Sequence, residues 1–278
     1  MSDTLTLTPF TAEHLPGALA LSQDEAWPHR AQDWATFLSL SQGVVALKDG
    51  QVAGTALATR FGDTALVNMI IVGPALRGRG LGRKLVEGAM ATAPAREFRL
   101  IATEAGLPLY RKMGFVDTGA IVQHQGAVPP IDATAPDFAD IQRADAGDAA
   151  ELSALDLRAT GMDRRAMVAM LLTQGRVAVL RRNGVVHGWA AIRRFGRGLV
   201  AGPVIAADAD DAKGLLGRMM ADHPGEFIRI DTPVDGGLSP WLEGLNLTRA
   251  GGGMAMSTAP RPHAEPIRSF ALAAQALG

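Results

Sequence analysis

Apolar positions in the first 125 residues keep two rhythms. Short runs that alternate every second residue, or stay apolar throughout, predict strands at Thr4–Thr8, Val44–Lys48, Val52–Thr59, Ala65–Val72 and Phe98–Thr103, with a last one around Ile121. Stretches with apolar residues three and four apart predict helices over Ala12–Ser22 and Pro28–Leu40, from a glycine-rich loop to about Ala93, and in a short piece ending at Met113. Asp49-Gly50 forms a hairpin turn between the second and third strands. The order is that of an α/β fold. At Gly126–Pro136 (GAVPPIDATAP) the rhythm stops, and three prolines with little charge mark a connection. This sets a first domain at 1–126, a linker at 127–136 and a second domain at 137–278.

The second half retraces the first. QGVVALKDGQVAGTALATRFG, from Gln42, is answered by QGRVAVLRRNGVVHGWAAIRRFG, from Gln174. The two share the QG start, an Asx-Gly turn, a strand glycine and the RFG end, and LYRKMGF at Leu109 lies opposite WLEGLNL at Trp241. Two copies of one fold are the economical reading.

Composition narrows the function. The length, 278 residues, is that of two domains, and 27 basic against 28 acidic side chains argue against nucleic acid or an anionic membrane as partner. The chain has no cysteine, so neither disulfides nor a thiolate nucleophile are available. MSDTLTLTPF lacks the basic start and apolar core of a signal peptide, and no apolar run approaches a membrane span, so a cytoplasmic protein is expected. Histidines at 14, 29, 124, 187, 223 and 263 show no metal-ligand spacing, and no G-x-S-x-G elbow is present. Neither a metal site nor a hydrolase triad is predicted.

The unusual stretch is RGRGLG, Arg77–Gly82, between the strand VNMIIV and a helix. Glycines let the backbone approach a ligand, and amides at a helix start point outward at the positive end of its dipole, an arrangement that binds phosphate. The P-loop pattern is not met, and Arg83 stands where a dinucleotide fingerprint needs its third glycine. Arg77-x-x-Gly80-x-Gly82 instead resembles the acyl-CoA pyrophosphate loop of the GCN5-related N-acetyltransferases, the GNAT superfamily. LYRKMGF resembles that superfamily's later motif, 28 residues beyond Gly82 at Tyr110.

The resemblance implies two GNAT-like domains, each a mixed, mostly antiparallel sheet flanked by helices, and acetyl-CoA or another acyl-CoA as co-substrate without a metal. The backbone of Ile70, Ile71 and Val72 would hold the pantetheine arm. The loop that begins at Arg77 would hold the pyrophosphate through the amides of Gly78, Arg79, Gly80, Leu81, Gly82 and Arg83. Tyr110, the chain's single tyrosine, would face the thioester sulfur. A phenol with an ordinary pKa near ~10 stays protonated at neutral pH and suits an acid that protonates the leaving thiolate. The attacking amine, with a pKa near ~10.4, must lose a proton first. For its base the candidates are Asp24, Glu25 and His29, with Glu25 named for the role and Glu104 an outlying alternative.

Trp27, His29, Arg30 and Trp34 would border the acceptor, Arg30 and Trp34 sharing a face of a helix started by Pro28. In the second copy, Asp210, Asp211, Ala212 and Lys213 align with Arg77–Gly80, Asp208 adds a third acid, and Leu242 replaces the tyrosine. That copy is expected not to bind CoA. The whole resembles tandem GNAT proteins with a catalytic N-terminal and a degenerate C-terminal domain. Asp163 and Arg164 of the latter would reach toward an enclosed pocket for a small amine. A homodimer is compatible with the sequence. Two functions stay open: an acyltransferase acting on a small primary amine, and an acyl-CoA-responsive binding module without turnover.

Overall fold

The computed structural model describes residues 5–135 and 138–278. Contacts divide the chain into two compact units. The first runs to Asp117 and takes in Met256–Pro260; the second comprises Thr118–Ala255 and Arg261–Ala276.

The first unit contains β1 (Leu5–Pro9), α1 (Leu15–Asp24), α2 (Ala31–Leu40), β2 (Gln42–Lys48), β3 (Gln51–Phe61), β4 (Thr64–Val72), α3 (Leu81–Thr92), β5 (Glu97–Ala102) and α4 (Leu107–Lys112). Strands β1 to β4 pair in sequence order and antiparallel, and β5 joins β4 in parallel. This is the mixed, mostly antiparallel sheet flanked by helices that the resemblance implied. Helix α3 lies on β2, β3 and β4, its buried Leu85 close to Gly54 of β3 and Gly88 close to Val44 of β2. Gly17 brings α1 against Val52. Glycine at these points lets helix and sheet approach; a Cβ on Gly54 would stand 2.9 Å from Leu85 Cδ1.

Most predicted elements stand within a few residues of their places, although Thr4 of the first strand lies outside the described residues. One start differs. Pro28 does not open the second helix, because Arg30 has extended backbone angles (φ −96°, ψ 166°) and is itself the N-cap. Asp33 accepts from Arg30 N at 2.8 Å, so a capping interaction fixes the start at Ala31. Arg30 therefore stands outside the helix and does not share a helical face with Trp34.

The second unit repeats the plan with β6 (Val116–Ala127), β7 (Ile141–Arg143), α5 (Ala149–Thr160), α6 (Arg165–Gln174), β8 (Arg176–Arg182), β9 (Val185–Phe195), β10 (Gly198–Ala206), α7 (Ala209–Met220), β11 (Phe227–Pro233), α8 (Ser239–Gly244), β12 (Thr248–Ser257) and β13 (Arg268–Ala271). Its strand order is β6-β11-β10-β9-β8-β7, with β13 alongside β10. No helix among the described residues is long and apolar enough to cross a membrane.

The repeat is not divided where the prolines suggest. Strand β6, read above as the close of the first domain, belongs from Thr118 onward to the second unit. There it pairs antiparallel with β11, from Ile121 opposite Pro233 to Ala127 opposite Phe227. Pro136 and Asp137, where linker and second domain were expected to meet, lie outside the described residues. The first unit in turn takes residues from the far end of the chain. Thr258 N donates to Phe98 O and Phe98 N to Thr258 Oγ1, both at 2.9 Å. Ser257 Oγ donates to Glu97 Oε1 at 2.6 Å.

Glu97 is 1 % exposed. A buried carboxylate is tolerated only when its oxygens are satisfied, and here Arg99 supplies bonds of 2.7 and 3.0 Å beside the one from Ser257. Ser257→Ala removes one donor from this charged group. It is expected to destabilise the protein by about 2 kcal/mol, the middle of the range for a hydrogen bond to a charge, read as a lower urea midpoint at unchanged m-value.

Candidate active site

The site begins with a defect in β4. Against β3, Ile71 stands opposite Thr55 but Asn68 opposite Leu57, so β4 holds one residue more than its partner over this stretch. The extra residue is taken up at Met69, whose φ of 48° is unusual for a side chain other than glycine. Thr55 Oγ1 donates to Met69 O at 2.7 Å and holds the bulge. On its other edge β4 pairs with β5 only at Thr64, Ala65 and Leu66. Beyond Leu66 the two strands pair no further, and Ile70, Ile71 and Val72 follow the bulge.

Helix α3 starts beyond this edge. Gly80, its N-cap, is left-handed at φ 78° and ψ 0°, and no side chain caps the helix. The amides of Leu81, Gly82 and Arg83 begin the first turn, where intrahelical acceptors are lacking. Gly78 is also left-handed at φ 75°. A Cβ on Gly78 or Gly80 would meet nothing within 4 Å, so packing does not demand glycine at either place. The backbone angle does, and so does any ligand approaching the amides. Gly82 serves differently: its Cβ would come within 3.3 Å of Leu109 Cδ2, which sets how closely α3 approaches α4.

The arginines divide. Arg79 is exposed. Arg83 donates to Glu87 one turn on and to Lys112 O, both at 3.3 Å. Arg77 turns back: its Nε donates to Val72 O at 3.0 Å and its Nη2 pairs with Glu25 at the end of α1.

Tyr110 lies on α4, 7 % exposed and edge-on to Phe115 at 6.1 Å between ring centroids. Gly106 leaves the ring its space; a Cβ there would stand 2.7 Å from Tyr110 Cε2. Burial pushes the phenol pKa up to about 12. The hydroxyl therefore holds its proton at every physiological pH.

Among the other predicted residues, Trp27 and His29 are half-buried in the turn between α1 and α2. Their rings meet edge-on at 5.7 Å, and His29 meets Phe37 at 5.6 Å. Asp24 and Glu104 are exposed. Trp34 does not border a pocket. It is fully buried, stacked on Phe10 at 5.9 Å, with Nε1 donating to Ser22 at 3.0 Å, which makes it part of the core. Arg30 is occupied by Asp33 at 2.7 Å. In the second unit Arg164 is fully buried, bonded to Asp156 at 2.6 and 2.8 Å and to Gly278 O at 2.5 Å. This guanidinium anchors its own unit and has no reach toward an acceptor. Asp163 pairs with Arg165 at 2.7 Å.

Asn68 was not singled out in the sequence. It is 7 % exposed; Nδ2 donates to Thr59 Oγ1 at 2.9 Å and to Leu66 O at 3.2 Å, while Oδ1 has no partner among the described residues. A lone asparagine in an apolar strand signals little until its neighbours are known.

The second unit treats the same geometry differently. β10 has the same irregularity, between Ala201 and Val204, and pairs with β11 only at Leu199 and Val200. There the opening is filled. β13 runs antiparallel along Val204, Ile205 and Ala206, the residues that correspond to Ile70, Ile71 and Val72. On its other side Leu272 N donates to Asp231 O and Phe270 O accepts from Thr232 Oγ1, both at 2.8 Å. Helix α7 is capped as well: Asp208 accepts from the amides of Asp210 and Asp211 at 3.0 and 2.9 Å. This corrects the alignment made above. Asp208 is the N-cap of α7 as Gly80 is of α3, but Leu215 stands against Gly188 as Leu85 does against Gly54, which sets Asp208 and Asp210 in the places of Gly78 and Gly80; the acids do replace the loop glycines, and the connection before them is shorter. Leu242 holds the place of Tyr110 on α8 and is fully buried.

Comparison with known proteins agrees with this duplication. Two different family models, each described as an acetyltransferase (GNAT) domain, match residues 39–117 and 152–270. A Bacillus subtilis protein, the uncharacterized N-acetyltransferase YitH, is 28 % identical over 233 residues, 80 % of either chain. A candidate acetyltransferase from Pyrococcus horikoshii superposes with a TM-score of 0.82 at 17 % identity, covering 99 % of this chain and 96 % of that one. A tandem GNAT protein from the clavulanic acid biosynthesis pathway superposes at 0.59 with 16 % identity over 93 % of this chain and all of that one. The chain is a tandem member of the GNAT superfamily.

Proposed function

We propose that the first unit binds one acyl-CoA, acetyl-CoA foremost, and transfers its acyl group to the primary amine of a small acceptor. The observation that carries this reading is the contrast between the units. Where the second unit lays its own strand β13 along Val204–Ala206 and its own Asp208 on the start of α7, the first leaves the edge at Ile70–Val72 without a partner strand among the described residues and α3 without a side-chain cap. Pantetheine carries amides that pair with a strand edge as β13 does. A pyrophosphate is an acceptor for helix-start amides as Asp208 is.

The bound thioester supplies an activated acyl group. The chain's part is to hold it and to manage charge. Backbone amides of β4 after the bulge stand where negative charge develops on the carbonyl oxygen as the amine attacks. Tyr110, kept protonated by burial, gives a proton to the departing sulfur. Of the residues expected to take the amine's proton, Glu25 is engaged by Arg77, which leaves His29 of the α1–α2 turn, Asp24 at the end of α1 and, as the outlying alternative, Glu104 ahead of α4. Trp27 and His29 offer aromatic surface to a small acceptor.

Calorimetry with CoA is expected to give one site per chain. Gly80→Val is expected to weaken that binding by at least about tenfold, because a β-branched residue resists the left-handed angle and its side chain projects over the helix-start amides. Tyr110→Phe should leave CoA affinity unchanged and lower kcat by roughly 10²-fold in an assay of free-thiol release against a panel of amines. With its pKa near 12, Tyr110 contributes no alkaline loss of kcat below about pH 11, so a fall at pH 9 in the wild type would assign the acid elsewhere. CoA binding without thiol release from any amine would instead support a binding module.

A further inference from the structure

The geometry points to Glu25 and the Arg77 side chain as a positioning clamp, in which Arg77 shapes the cofactor loop through protein contacts and does not itself hold phosphate. The inference rests on the reading above and assigns two residues within it. Arg77 Nε donates to Val72 O, the carbonyl that ends β4, while Nη2 is held by the Glu25 carboxylate. Between Val72 and Arg77 the chain makes one tight turn: Leu76 N bonds Gly73 O at 2.9 Å, Arg77 N bonds Pro74 O at 3.3 Å, and Leu76 is buried. Gly73 N is tied to Ala53 O at 2.9 Å. The clamp thus fastens both ends of the turn immediately before the left-handed glycines. It joins them to the end of α1, where the α1–α2 turn begins.

Stability alone does not account for the pair. Its side chains are 51 % and 27 % exposed, and an ion pair at such a place contributes little to folding. Electrostatics alone would act against it, since a carboxylate near a pyrophosphate repels the ligand. A glutamate placed there costs affinity by charge and returns it only by fixing geometry. If instead Arg77 bound phosphate directly, Glu25 would compete with the ligand for the same guanidinium. The two roles therefore predict opposite signs for the removal of the Glu25 charge.

The test is CoA affinity of the full chain, measured by calorimetry on wild type, Glu25→Gln, Arg77→Lys and the double variant, with thermal melts to establish that each is folded. Wild-type binding first establishes that the first unit takes CoA; its absence would sink the function proposed above, not the clamp in particular. Given that binding, Glu25→Gln is expected to weaken it about tenfold although a repelling charge has been removed. Arg77→Lys, which keeps the charge but loses the Nε bond to Val72 O, should weaken it similarly. The double variant should be no worse than either single one, since the two residues act as one unit. Because kcat at saturating acyl-CoA should stay within about twofold in Glu25→Gln, the defect belongs to binding. Unchanged or tighter CoA binding in Glu25→Gln would overturn the clamp and assign the Arg77 side chain to direct phosphate contact. A large fall in kcat with intact affinity would return Glu25 to the role of base.

Discussion

Everything at this site follows from the divergence of two parallel strands. Backbone groups inside a sheet must be hydrogen-bonded, and a bulge that turns β4 away from β5 leaves a strand edge that β5 no longer serves. The same constraint operates in both units, since β10 also stops pairing with β11 just before a matching irregularity. One unit meets it with residues of its own; the other presents the edge to whatever carries suitable amides and carbonyls. Degeneration of the second unit is thus more than a loss of glycines. Each opening that the first unit leaves is closed in the second by the chain itself, β13 at the strand edge and the Asp208 carboxylate at the helix start.

The replacement also explains why the second unit has a shorter connection between strand and helix. Once Asp208 caps α7 directly, a long loop that holds amides open has no use, and the chain passes from Ala206 to Ala209 in two residues. In the first unit eight residues separate Val72 from Leu81. Loops of that kind need fastening. The bonds from Gly73 to Ala53 and from Arg77 to Val72 give this one a defined shape without covering the helix start.

Much of this was legible in the sequence. The strand and helix rhythm, the glycine turn of RGRGLG at a helix start and the place of the single tyrosine on a short helix each rest on local pattern, and local pattern is what one sequence displays. Partner choice is different. Nothing in VDTGAIVQHQGA tells β6 to pair with β11, and Ser257 and Glu97 meet across 160 residues. Strand β13 is four residues long and follows a proline-containing stretch without alternation, so its place beside β10 had no signal. Trp34 and Arg164 were read as site residues from their chemistry, which core packing and a buried ion pair use equally well. Pro28 misplaced a helix start because the bond between Arg30 and Asp33 outranks a proline's preference for the first turn.

The exchange of short segments has a consequence for how the protein is made. Residues 256–260 belong to the first unit, yet they are synthesised after nearly all of the second. A domain emerging from the ribosome usually folds before its successor is complete. Here Glu97 waits for Ser257, and β6, already synthesised, waits for β11. The first unit can collapse early but its sheet closes last, so the two copies mature together. A cut between the repeats would part Glu97 from Ser257 and leave the first unit without residues 256–260.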